Sequence, residues 1–145
     1  MKPASIAAVV AITFGAATAF AAPEAVVDLY KQANCGCCVK WADHMEKSGF
    51  KVRTHEVADA GLVRKESGIP AAQGSCHTAK VGGYAIEGHV PAADVKRLLK
   101  QRPKAVGLAV PGMPMGSPGM ESDTKQAYEV LLVKAGGATE VFARH

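Results

Sequence analysis

The sequence predicts an α/β fold, with a mixed sheet covered by helices, and three observations carry this. Strand-like and helix-like apolar patterns alternate over residues 24–102. A Gly82-Gly83 pair separates two short runs of strand character, a hairpin signal. Gly49, Gly68 and Pro103 stand where helical patterns should stop. A length of 145 residues fits one small domain.

Each element follows in order. "EAVVDLYK" (24–31) is rich in β-branched and aromatic residues and suits a strand. "CVKWADHMEKSG" (38–49) repeats Cys38, Trp41, Ala42 and Met45 at helical spacing. "FKVRTHEVA" (50–58) alternates as a second strand, and "DAGLVRKESG" (59–68) is a short helix. Residues 69–90 give two strands around Gly82-Gly83. "PAADVKRLLKQR" (91–102) opens on proline and lines up Val95, Leu98 and Leu99 as a helical face. The order βαβαββα is the thioredoxin-like arrangement: a parallel βαβ unit, an added antiparallel hairpin, and helices over the sheet. "GIP" (68–70) resembles the thioredoxin segment whose proline faces a dithiol. Beyond it, "VPGMPMGSPGMESD" (110–123) is too rich in Pro and Gly for regular structure and reads as a long loop. The tail, 125–145, reads as a β-hairpin around Gly136-Gly137.

The first 21 residues stand apart. "MKPASIAAVVAITFGAATAFA" has a charged start at Lys2, a short apolar stretch and an Ala19-Phe20-Ala21 cleavage pattern, so it reads as a secretory signal peptide. Cleavage after Ala21 leaves 22–145 as the working domain, without a membrane segment. The whole chain carries a formal charge of +4 with no dense Lys/Arg tract, which gives no case for nucleic acid. Export to an oxidising compartment means that cysteines end as disulfides or metal thiolates.

Three of the four cysteines fall in "ANCGCCVKWADH" (33–44), at the predicted junction of strand and helix. A helix N-terminus favours thiolate, and Lys40 adds positive charge nearby. Cys35 and Cys38 have redox-dithiol spacing, but Cys37 supplies a third sulfur that a disulfide oxidoreductase does not need. Soft d10 metals do want several sulfurs; thiolates and thioethers select Cu(I), with zinc as a rival for thiolates. Cys76 and His77 open the predicted hairpin and can bring a fourth sulfur and an imidazole, while His89 ends its second strand. Met113, Met115 and Met120 supply exposed thioethers in the long loop. His44, two helical turns from Cys37, reads as a solvated surface histidine; His55 and His145 receive no role.

The segments "CGCCVKWADHMEKSGF", "GIP", "SCHTAKVGGYAIEGHVPAADVKRLL" and "GLAVPGMPMGSPGME" together resemble the CopG-type family of exported bacterial copper-resistance proteins, over about residues 26–121. The resemblance implies a thioredoxin-like fold, a periplasmic location, and copper bound at the C-x-C-C loop as a cluster that changes oxidation state. Carried over by position, it implies Cys35, Cys37, Cys38, Cys76, His77, His89, Met113 and Met115 as the metal residues. It implies copper ions as cargo, as Cu(I) and Cu(II), with other periplasmic copper-handling proteins as partners. Two further readings stand beside it: a thiol-disulfide oxidoreductase using Cys35 as nucleophile and Cys38 as resolving thiol, and a passive copper chaperone or buffer.

Overall fold

The computed structural model describes residues 25–145; the expected signal peptide lies outside the described residues. It is a mixed α/β domain in which one seven-stranded sheet carries three helices. β1 (Val26–Lys31) leads through the cysteine loop into α1 (Gly36–Lys47), which crosses to β2 (Lys51–Glu56), parallel to β1. α2 (Ala60–Glu66) and a single 3-10 turn (Ala71–Gln73) lead to the hairpin of β3 (His77–Val81) and β4 (Tyr84–Glu87). α3 (Ala92–Gln101) follows, then β5 (Gly107–Ala109), β6 (Glu129–Val133) and β7 (Thr139–Arg144). The sheet order is β2-β1-β3-β4-β5-β6-β7. Among the described residues no helix is long and apolar enough to cross a membrane.

The local chemistry explains these elements. Alternation in β1 buries Val27, Leu29 and Lys31 on one side. In α1 the residues at helical spacing, Cys38, Trp41, Ala42 and Met45, turn inward onto the sheet. Trp41 is fully buried, and its indole N–H donates to the carbonyl of Val90 at 2.9 Å, pinning α1 to the segment after β4. Gly82 and Gly83 both have positive φ, the requirement of a tight two-residue hairpin turn.

Four expectations need correction. β5, a three-residue strand parallel to β4, carries no strand signal of its own in the sequence. Three apolar residues are too few to show a period, and Gly107 reads as a breaker. It is glycine for another reason: a Cβ there would lie 1.7 Å from the carbonyl oxygen of Ala85 on the adjacent strand. The helix expected from Cys38 starts at Gly36, placing Cys37 and Cys38 within its first turn. Pro70 does not take the place facing the cysteines; it precedes the 3-10 turn and packs against Gly137. The residue that enters β3 beside the cysteine loop is Cys76. His44 is half-buried, not a solvated histidine.

Residues 110–123 form no helix or strand, and their turns use positive φ at Gly112, Gly116 and Gly119. The segment is strapped down by specific bonds. The Ser75 hydroxyl donates to the carbonyl of Gly112, Gly112 N–H donates to the carbonyl of Gly74, and Ser117 folds onto Pro114.

Candidate metal centre

The end of β1 sets the cysteine loop. Lys31 is buried, and its ammonium donates to the carbonyls of Gln32 and Ala33 while pairing with Glu56. These bonds hold the chain that delivers Cys35 to the N-cap of α1. Cys38 follows in the first turn, so the two residues lie one turn apart with Cα atoms separated by 5.3 Å. They are joined as a disulfide, and Cys37 and Cys76 are free. The disulfide corrects the expectation of a site rich in free thiolate.

Cys76 meets this loop from the opposite side. Its Sγ lies 3.6 Å from that of Cys37 and 3.7 Å from that of Cys38, and Cys37 Sγ is 3.6 Å from that of Cys35. Metal–sulfur bonds of about 2.3 Å in a tetrahedron place neighbouring sulfurs about 3.7 Å apart, so this spacing suits thiolate coordination. The approach is enforced by Glu87, fully buried on β4. Its carboxylate accepts from the Ser75 backbone N–H at 2.7 Å and the Thr78 hydroxyl at 2.6 Å, and faces Arg64 at 3.4 Å. Burial pushes its pKa up, opposed by these donors. Gly88 allows the close packing, since a Cβ there would sit 2.6 Å from Ser75 Cβ.

Two imidazoles complete the cluster. His89 is fully buried. Its Nδ1 lies 2.8 Å from the Pro118 carbonyl, which can only accept, so Nδ1 carries the hydrogen. Nε2 then presents its lone pair to Cys76 Sγ at 3.1 Å. A backbone carbonyl fixing one nitrogen while the other faces a thiol is the orientation that metal-binding histidines use. His77 packs between Trp41 and His89, with Nδ1 3.4 Å from Cys76 Sγ. Its Nε2 is the buried side-chain polar atom left without a hydrogen-bond partner among the described residues. Burial, then the neighbouring His89, pushes the His77 pKa down to about 3, so the ring is neutral and available as a ligand at physiological pH. Burial first, then Cys37, pushes the Cys76 thiol up to about 12.

The donors thus form two groups sharing one residue: Cys35, Cys37, Cys38 and Cys76, and Cys76, His77 and His89. Within each group the ligand atoms lie within 4.8 Å of one another. Of the sequence candidates, Met113 and Met115 differ. They are 50% and 37% exposed, and the segment touches the centre through backbone at Pro118 and Gly119. A Cβ on Gly119 would come within 2.6 Å of the Cys37 carbonyl, so only glycine permits this contact. Lys31, Ser75 and Gly119 carry no mark in the sequence of a role at this centre. Glu87, a charge inside the apolar run "YAIEGHV", was the one visible signal.

Comparison with known proteins gives this geometry a context. A family described as "Protein of unknown function, DUF411" matches residues 73–120, from the approach to Cys76 through Met120. A solved structure, form 2 of the copper resistance protein CopG, is 46% identical to this chain. It superposes with a TM-score of 0.80, covering 84% of this chain and 98% of its own. The chain belongs to the CopG family. Form 1 of CopG agrees, at 47% identity and a TM-score of 0.78 over 83% of this chain and 96% of its own. No significant match was found among curated proteins. In this chain the segment matched as DUF411 contains Cys76, His77 and His89, half of the Cys/His cluster, together with the Met113 and Met115 loop.

Proposed function

We propose that this chain is an exported, periplasmic copper-binding protein of copper resistance, with a thioredoxin-like core formed by β2-β1-β3-β4. In this reading Cys35, Cys37, Cys38, Cys76, His77 and His89 hold copper as a multinuclear Cys/His cluster. Met113 and Met115 make soft contacts with copper entering or leaving. The single observation that carries the reading is the sharing of Cys76 between an all-sulfur group and a Cys-His-His group. A bridging thiolate joins ions, and the two donor sets favour different states: thiolates stabilise Cu(I), and imidazole accepts both Cu(I) and Cu(II). The centre is therefore suited to copper that changes oxidation state, and other periplasmic copper-handling proteins are the expected exchange partners. Membership of the CopG family supports copper as the cargo.

The decisive experiment is anaerobic purification of the reduced protein, followed by metal analysis by mass spectrometry after exposure to Cu(I). Uptake of more than one copper per chain is expected. One zinc per chain and no copper would overturn the reading. X-ray absorption before and after transfer to an acceptor separates a redox centre from a passive carrier, which leaves the copper edge unchanged.

A second reading, thiol-disulfide exchange as the main activity, is favoured by one specific observation: Cys35 and Cys38 are disulfide-bonded. Cys37→Ser separates the two. An oxidoreductase keeps its activity in this variant, whereas a copper cluster loses stoichiometry or affinity.

A further inference from the structure

The disulfide consumes two of the four sulfurs in the larger donor group, so the centre as it stands is closed to the full cluster. Its two sulfurs are not equally reachable. Cys38 is 0% exposed, whereas Cys35 is partly exposed and lines a cleft of about 480 Å³ with Gln32, Ala33, Asn34, Val57 and Ala58. This cleft lies past the ends of the parallel strands β1 and β2. The Gln32 side-chain amide donates to the Ala58 carbonyl across it at 2.9 Å, and the Lys31 ammonium fixes its floor at Gln32 and Ala33. The Cys35 edge of the disulfide is therefore presented on a preformed surface, and the Cys38 edge faces the interior.

We propose that the Cys35–Cys38 disulfide is a lock on the metal centre, opened by a dithiol reductant that enters the cleft beside Cys35. This rests on the metal-binding reading of the centre. In the first step a thiolate of the reductant attacks Cys35 Sγ; the new S–S bond forms there, the bond to Cys38 breaks, and Cys38 leaves as a thiolate. Departure toward the first turn of α1 is favoured, because backbone N–H groups there stabilise negative charge. The second thiolate of the reductant then attacks its own sulfur in the mixed disulfide and releases Cys35 as a thiolate. The reductant loses two electrons and becomes a disulfide, and the Cys35–Cys38 bond gains them. Cys38, released 3.7 Å from Cys76, completes the sulfur group. Closed, the protein retains Cys37, Cys76, His77 and His89; open, it offers all six donors.

The test compares two preparations of the purified protein: disulfide-bonded, verified by alkylation and mass, and reduced with dithiothreitol that is then removed anaerobically. Each is titrated with Cu(I) held by a chromophoric chelator. The disulfide form is expected to take up fewer copper equivalents and to lose competition with the chelator, and dithiothreitol is expected to restore uptake. Equal uptake by both forms overturns the lock and leaves the copper reading standing. Uptake by neither overturns the copper reading itself. A second arm uses a chromophoric monothiol to trap the mixed disulfide, followed by peptide mapping. An adduct at Cys35 is expected, and an adduct at Cys38 overturns the route. Cys35→Ser provides the control: its Cu(I) uptake should be the same before and after dithiothreitol, and persistent dependence on reduction overturns the assignment of the lock to this pair.

Discussion

The thiol of Cys76 faces Nε2 of His89 at 3.1 Å, and the carbonyl of Pro118 leaves that ring only one neutral tautomer. The short contact is therefore S–H donating to Nε2, consistent with a thiol pushed up to about 12 by burial and by Cys37. Metal binding must displace that proton. Copper affinity measured by chelator competition is expected to rise about tenfold per pH unit for each proton released, across the neutral range. His77 gives a stability prediction of definite sign. Its pKa is about 3 when folded, against 6.5 for an ordinary, solvated histidine. The lowered folded value means that its contribution is fully present above pH 6.5 and is lost as pH falls toward 3. Between pH 7 and pH 5 the loss is about 2 kcal/mol in metal-free protein, read from urea unfolding. His77→Phe should remove most of that difference. The sequence showed these residue types and their grouping, because cysteine and histidine advertise their chemistry. It did not show that Cys35 and Cys38 pair with each other, since C-x-x-C spacing serves thiolates and disulfides alike. It also hid Lys31 and Ser75, whose work is done by bonds to backbone across the fold.

Secondary structure was legible where a period was long enough to count, as in α1, α3 and the glycine-turned hairpins. β5 was lost because its three residues owe their place to a missing Cβ at Gly107, which only the neighbouring strand explains. Connections between elements were less legible still. α3 has no side-chain cap of its own; instead His44, from the last turn of α1, accepts from the Ala92 N–H at 3.0 Å. Burial holds the His44 pKa down and keeps the ring an acceptor. His44→Ala should cost about 1 kcal/mol in thermal unfolding, the usual loss on removing a helix cap. Glu87 joins elements more tightly, since β4, the segment before β3 and α2 all meet at its carboxylate. Glu87→Ala strands the Ser75 N–H, the Thr78 hydroxyl and Arg64 together, and should cost about 3 kcal/mol in urea unfolding. Glu87→Gln keeps an acceptor for Ser75 and should cost less, and the same order should hold for copper uptake, because Ser75 sets the position of Cys76.

At the scale of the molecule, the centre sits at one end of the sheet, where several strands finish or begin. Lys31 at the end of β1 pairs in register with His77 at the start of β3, and Glu87 at the end of β4 pairs with Ala109 at the end of β5. The chain leaving β5 then passes over the cysteine loop as the 110–123 segment before rejoining the sheet at β6. Metal bound at this end would fasten α1, β3 and the β4–α3 connection to each other. Anaerobic Cu(I) should raise the unfolding temperature of the reduced protein, and a chelator should reverse it; copper at a thousandfold over its dissociation constant corresponds to about 4 kcal/mol. The methionines separate stability from delivery. Met113 and Met115 are exposed, while the bonds that strap their segment down belong to Ser75, Gly112, Ser117 and Pro118. Replacing both methionines with alanine should leave unfolding unchanged within about 0.5 kcal/mol, as for most surface changes. Final copper stoichiometry should also be unchanged, because the cysteines and histidines are intact. Loading from a Cu(I) chelator, followed by stopped flow, should be slower if thioethers make the first contact. An unchanged loading rate would reduce the methionines to solvent-facing side chains of the strap.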